Sequence, residues 1–341
     1  MTTRRMLVKA ALAATLPTGL LPWPALAQAQ EPAGGRTPAR PARVGWLMMR
    51  STGLFAEVTA RGFLKGLREA GYVEGINLHL ERRSADGVRA RMNELARELV
   101  ATNPDVLFTP GKAMTDAAWR ASRRIPTVIA GVTDPIAVGY ALSLRQPGKH
   151  ITGVTAAHSE LVSKRLELLT ELVPQAKRIG VIIDPDMLAE CREEMQAMEK
   201  AAAILGITLV QVPLLASGAD VEARIKQAAG ARVQALISAP MTGAYDLTGA
   251  VHAEAVKYQL PLMHDVPQLA HNSLAVYGPD FEDMFRRAGL VVARLLKGAN
   301  PATTPIEEPR EFRMVVNLKT AKAMGIKVPY TIFLRANEVI E

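Results

Sequence analysis

Asp134 stands where an apolar run ends. TVIA (127–130) reads as a buried strand, and GVTDP follows it at 131–135. A carboxylate brought into an interior is costly unless something pairs with it. Two partners are available at such a strand end: an ammonium or amide of a bound molecule, or the backbone N–H groups of the Asp-Pro turn itself. Other strand ends carry similar polar loops. Ser51 and Thr52 follow the first apolar run, and Thr109, Gly111 and Lys112 follow the third. Hydroxyls and the first N–H groups of the helices behind them suit a carboxylate. Lys112 adds a charge there, unless it is only a solvated first-turn lysine. Further along stand Asp184, Pro240, His264 and Tyr277. Asp184 either faces a ligand or, with Asp186, caps the next helix. His264 is either a contact or a hydrogen-bonded core residue, and Tyr277 either covers a cleft or braces a hinge. A carboxylate-friendly side opposite Asp134 would suit a zwitterion, so an amino acid or a related small amide is the expected ligand.

Several other chemistries lack their residues. The six histidines (79, 150, 158, 252, 264, 271) show no HExxH or comparable metal spacing. Cys191 is the single cysteine, so no internal disulfide can form. It falls in a predicted helix over 187–205 among acidic neighbours, which discourage a thiolate. There is no G-x-S-x-G elbow and no phosphate loop. No metal and no cofactor are therefore expected. One enzymatic alternative remains, with Asp134 and His264 as acid and base. Aromatic residues make up 5% of the chain and the basic surplus is spread out, which argues against a nucleic-acid partner.

These loops need strands and helices to hold them. Short apolar runs alternate with longer amphipathic stretches from Arg43 onward. Strands are predicted at 44–49, 76–83, 105–109 and 127–130, with helices at 55–71, 87–101 and 112–122 between and after them. After HITGVT (150–155) the pattern repeats. Helices at 159–173, 187–205, 219–230 and 244–258 alternate with strands at 178–183, 207–212, 233–238 and 261–264. Such β-α alternation calls for mainly parallel sheets covered on both faces. Two α/β lobes joined near Gly153 would make a cleft, and open parallel sheets bind ligands beyond the carboxyl ends of their strands. The residues from 273 onward read as strand 273–278, helix 281–298 and a strand plus short helix over 311–325. They are too few for a third domain and should return to finish the two sheets.

The amino terminus reads as an export signal. A charged start precedes a modestly apolar stretch, and Ala25-Leu26-Ala27 supplies a cleavage signal. The expected mature protein is periplasmic, cut near Ala27. Thr3-Arg4-Arg5-Met6-Leu7-Val8-Lys9 also resembles the twin-arginine motif; a Sec signal carrying two arginines is the alternative. Residues 28–42 form a Pro/Gly/Ala linker. Removing Arg4, Arg5 and Lys9 reduces the formal charge from +8 to +5, since 38 basic residues then face 33 acidic ones.

The stretch from Ala275 to the end, AVYGPDFEDMFRRAGLVVARLLKG and onward, closely resembles exported ABC-transporter substrate-binding proteins of the tryptophan/tyrosine-binding type. ARGFLKGLREAGYVEGINLHLERRSADG (60–87) and TDPIAVGYALSLRQPGKHITGVT (133–155) resemble the same family. The resemblance covers about 43–341. It implies the type I periplasmic-binding-protein fold, two Rossmann-like lobes joined by three crossovers. The lobes would be 43–153 plus 276–310 and 154–275 plus 311–341, behind a signal peptide at 1–27 and the linker at 28–42. It further implies a monomer that carries a small molecule to an inner-membrane ABC permease. A ligand sensor built on the same fold is the alternative. The resemblance also favours Asp134 as a ligand contact, because the family's binding residues cluster in that loop.

Overall fold

The computed structural model describes residues 40–341, apart from 157, 186, 187, 189, 190, 216 and 240–244. The expected leader, most of the linker, and Pro240 lie outside the described residues.

The first half builds a parallel sheet. Its strands are β1 (Ala42–Met48), β2 (Leu78–Ser84), β3 (Val106–Pro110), β4 (Thr127–Val132) and β5 (Ile151–Thr155), in the order β2-β1-β3-β4-β5. Strands β3, β4 and β5 are buried along their whole length, β5 although it is the last strand of the sheet. This is why they read as unbroken apolar runs, while β2 alternates. Helices α1 (Leu54–Glu69), α2 (Met92–Ala101) and α3 (Lys112–Ala121) connect the strands.

The second sheet holds β6 (Arg178–Ile183), β7 (Thr208–Pro213), β8 (Ala235–Ser238), β9 (Leu262–His264), β10 (Ala275–Pro279), β11 (Phe312–Asn317) and β12 (Glu338–Ile340). Their order is β12-β11-β10-β9-β8-β6-β7, and among the described residues the β10–β11 pair alone is antiparallel. Helices α4 (His158–Leu172), α5 (Arg192–Leu205), α6 (Val221–Gly230) and α7 (Thr248–Lys257) belong to this half. Helix α5 starts at Arg192, so Cys191 precedes it rather than lying inside it. Helix α8 (Phe281–Leu296) returns to pack on α1 and on β3, β4 and β5, and the chain then goes back to β11, α9 (Leu318–Ala323), α10 (Tyr330–Phe333) and β12. Strand β10 pairs with β9 and β11. Sheet membership therefore changes after Pro279, whereas a lobe boundary at 276 would give this strand to the first sheet. Gly153 lies within β5 and pairs with Ile129; the chain leaves the first sheet only after Thr155. Gly153 has φ +145° and a Cβ there would stand 2.1 Å from the Ile129 carbonyl oxygen, so the close strand contact requires glycine.

The packing of α1 against α8 fixes one wall of the molecule. Phe63 stacks on Phe108 at 3.9 Å between centroids, and Trp46 lies 5.1 and 5.5 Å from those two rings. Each such aromatic pair contributes roughly 0.5–1.5 kcal/mol beyond area burial. The same buried cluster continues through Phe281 and Phe285 to Tyr245, Val266 and Leu269 of the second half. The two halves are thus held together by apolar contact as well as by covalent crossings.

Candidate ligand-binding site

Strand ends of both sheets meet around a cavity of about 160 Å³. At about 10–15 Å³ for each water-sized occupant, this is room for roughly 11–16 non-hydrogen atoms. One wall is apolar. Trp46, Met48 and Met49 come from β1 and its end, Phe55 and Ala56 from the first turn of α1, and Phe281, Met284 and Phe285 from α8. Phe55 is the hub of this wall, 5.0 Å from Tyr245, 5.6 Å from Phe281 and 5.8 Å from Phe285.

The remaining lining is polar and carries both signs of charge. Arg50, Arg89 and Lys112 supply cations; Asp184 and Asp246 supply carboxylates. Arg50 Nε lies 3.9 Å from Asp246 Oδ2, an ion pair that runs from the loop after β1 to the 3-10 turn Tyr245–Leu247. Lys112 opens α3 and donates to Asp116 Oδ2 at 2.7 Å. Asp116 in turn accepts from the Tyr140 hydroxyl. Burial and the adjacent carboxylate push the Tyr140 hydroxyl's pKa up, so it stays a donor. The first turn of α3, from Lys112 to Met114, lines the cavity behind Gly111, whose φ of +94° turns the chain out of β3. Free N–H groups at such a helix start favour an anionic group.

Among the expected site residues, Thr52, Gly111, Lys112 and Asp184 line this cavity. The others do not. Asp134 caps its own turn: Oδ1 accepts from the backbone N–H groups of Ile136 and Ala137, both at 2.9 Å. The Asp-Pro turn thus satisfies the carboxylate locally. Ser51 donates to Asp86 at 3.3 Å on the exposed rim. Thr109 is buried against Thr115, with 3.0 Å between hydroxyls, inside the β3–α3 turn. Buried His264 receives the N–H groups of Asp265 and Val266 on Nδ1 at 3.0 and 3.2 Å, and Nε2 faces Thr248 Oγ1 at 3.3 Å. It is a hydrogen-bonded core residue and does not meet Asp134 as an acid–base pair. Tyr277 sits in mid-strand and packs against the second-half core. Pro240 lies outside the described residues.

Sequence reasoning missed Phe55, Tyr245, Asp246, Arg89 and the α8 residues. A usable signal existed for two of them. Phe55 and Phe281 each stand within two residues of a helix start that directly follows a strand. This is the position a cleft wall requires.

The two lobes also touch through hydrogen bonds. Thr133, after β4, donates to Glu194 Oε1 of α5 at 2.6 Å. Glu194 is buried, and burial raises its pKa against the opposing pull of the Thr133 hydrogen bond. Among the described residues, no histidine, cysteine or serine lines the cavity, and no group of three His, Cys, Asp or Glu side chains could hold a metal ion. The arrangement is built to hold a compact molecule with an apolar body and polar ends. No helix of the described residues is long and apolar enough to cross a membrane.

Comparison with known proteins gives a consistent picture. The family described as ABC transporter substrate binding protein matches residues 53–340. A Clostridioides difficile protein named "Tyrosine-binding protein" is 24% identical over 268 residues, 78% of this chain and 76% of that one. A crystal structure of a conserved domain protein from Vibrio cholerae superposes with a TM-score of 0.80 at 27% identity, covering 88% of this chain and all of the other. A Streptococcus pneumonia ABC domain in complex with L-Trp gives a TM-score of 0.76 at 23% identity, with the same coverage.

Proposed function

The chain belongs to the ABC transporter substrate-binding protein family, and we propose that it captures an amino acid with an apolar or aromatic side chain and delivers it to a membrane permease. Its fold is the two-lobed type I periplasmic-binding-protein fold, and its family is a solute-binding one. The observation that carries the ligand class is the cavity itself. A wall of Phe55, Phe281, Met284 and Phe285 faces cations from Arg50, Arg89 and Lys112 and carboxylates from Asp184 and Asp246. An apolar body fits the first, and polar groups at the ends of the solute fit the second. The relative named for tyrosine and the neighbour that holds L-Trp support the same class. Export through the 1–27 leader to the periplasm follows from this reading, because the solute must be captured outside the inner membrane.

The chemistry needed is binding and lobe closure. Ligand that binds only the folded form raises its stability by about 4 kcal/mol at a thousand times the dissociation constant. A thermal-shift screen of the mature protein against the twenty amino acids, small amides and small carboxylates tests the reading. L-Trp, L-Tyr or L-Phe should give the largest rise in Tm, and the recovered ligand should be chemically unchanged. A screen in which no amino acid shifts the melt, or in which the ligand is turned over, would refute it.

A further inference from the structure

Arg165 is fully buried, and among the described residues none of its three guanidinium nitrogens has a hydrogen-bond partner. It lies in the middle of α4, whose long side chains lean toward the helix N-terminus. The N-terminus of α4 follows the crossing from β5, so the guanidinium is carried toward the cleft between the lobes. Its electrostatic neighbours are Asp265, Tyr245 and Glu194. Two of these reach the cleft directly. Tyr245 lines the cavity and donates its hydroxyl to Asp265 Oδ2 at 2.9 Å. Glu194 meets Thr133 of the opposite lobe.

A buried guanidinium with five N–H donors and no acceptor is a costly arrangement. Asp265 does not relieve it by hydrogen bonding, since no Arg165 nitrogen has a hydrogen-bond partner among the described residues; Asp265 accepts from Tyr245 and, at 3.3 Å, from Ser238. A planar pair of acceptor oxygens would satisfy Arg165 with two parallel charge-assisted bonds, geometry that Arg offers and Lys does not. We propose that Arg165 is the receptor for a carboxylate of the bound solute, in a polar subsite behind Tyr245 that opens when the lobes part. The proposal rests on reading the cleft as a solute site and names the group by which that solute is held. Opening breaks the Thr133–Glu194 hydrogen bond and the Phe55–Tyr245 contact, two of the contacts that join the lobes on this side. The carboxylate enters there, and closure then excludes water from the pair. Burial lowers the guanidinium's pKa against the smaller opposing pull of Asp265, Tyr245 and Glu194.

The test compares matched acids and amides on the mature protein and on Arg165→Met and Arg165→Lys. One arm uses L-tryptophan against L-tryptophanamide. The other uses phenylacetate and indole-3-acetate against their neutral amides, followed by thermal shift and calorimetry. Wild type should prefer the acid in each pair by roughly 10- to 100-fold, the worth of one charge-assisted pair. Arg165→Met should abolish that preference while keeping the amide affinity, and Arg165→Lys should fall between. The ligand-free Arg165→Met protein should melt no lower than wild type, because it buries no unpaired cation. If the carboxylates bind but the amino acid does not, the amino-acid reading fails and the Arg165 assignment stands. If L-tryptophan binds and Arg165→Met keeps the wild-type acid-to-amide ratio, the assignment fails and the amino-acid reading stands. If no carboxylate in either arm is preferred over its amide by wild type, ordered water alone satisfies Arg165 and the proposal is overturned.

Discussion

The α1–α8 crossing should be the most sensitive lever on the cavity, and Gly66→Ala is the perturbation to make. A Cβ at Gly66 would stand 1.9 Å from the Arg286 carbonyl oxygen, backbone against backbone. Ordinary contact begins near 3.4 Å, so the helices must separate by about 1.5 Å. The neighbouring glycines show the same closeness: Gly62 to Glu282 O and Gly289 to Phe63 O, each 2.4 Å for an added Cβ. Overpacking of this kind costs about 1–3 kcal/mol. The helix gains back roughly 0.5–1 kcal/mol when glycine is replaced by alanine. A net loss of about 1–2 kcal/mol is expected, which is a Tm drop of roughly 2–8 °C for a chain of this size. The functional effect should accompany it, because α1 carries Phe55 and α8 carries Phe281, Met284 and Phe285 into the cavity wall. Solute affinity should therefore fall by more than the stability loss alone produces. Gly230→Ala is the control, since a Cβ there meets nothing within 4 Å. Circular-dichroism melts and calorimetric titrations of both variants decide the matter. A Gly66→Ala protein that melts and binds as wild type does, or a Gly230→Ala protein that loses as much, would refute the crossing as the determinant of the wall.

Asp134→Ala should cost about 0.5–2 kcal/mol, the range for a lost cap of backbone N–H groups, and should leave the ligand-induced thermal shift intact; loss of that shift would place Asp134 in the site after all. Cys191 is buried, and burial first, then Glu194, Asp265 and Asp184, push its thiol up to about 12. A disulfide reagent at pH 8 should leave it unlabelled in the native protein and label it promptly in guanidinium chloride, so rapid native labelling would contradict this placement. Burial alone would raise the pKa of Glu307, but hydrogen bonds from Arg294 and Arg287 outweigh it and hold the carboxyl below its ordinary value of 4.5. Its stabilising contribution is therefore complete above about pH 4.5 and lost as pH falls through the lower folded value. In urea titrations Glu307→Gln should unfold at a lower midpoint at pH 7 and lose less between pH 7 and pH 3 than wild type; parallel pH profiles for the two proteins would refute the pairing.

The fold could be read from the sequence because its strands announce themselves. TVIA and RIGVII are buried on both faces, as parallel central strands must be, and amphipathic helices separate them. The site was harder for reasons that differ residue by residue. Asp134 before Pro135 has the same sequence whether it faces a ligand or caps a turn; only the placement of the Ile136 and Ala137 N–H groups decides. Phe55 and Phe285 fall on the apolar faces of their helices, and periodicity does not distinguish a face that meets the core from one that extends past it into a cavity. Arg165 is the opposite case. Leu161, Val162, Leu166, Leu168, Leu169 and Leu172 around it are all buried, so the arginine occupies the core stripe of α4 rather than its solvent face. That violation was present in KRLELL from the start. An apolar residue at this register would have packed against β9 and β10 without cost, and lysine or glutamate would have belonged on the outer face. A guanidinium held in the stripe and left without an acceptor among the described residues is what the proposed carboxylate contact would account for. The residue that breaks the helical pattern is therefore better evidence for the ligand's chemistry than those that obey it.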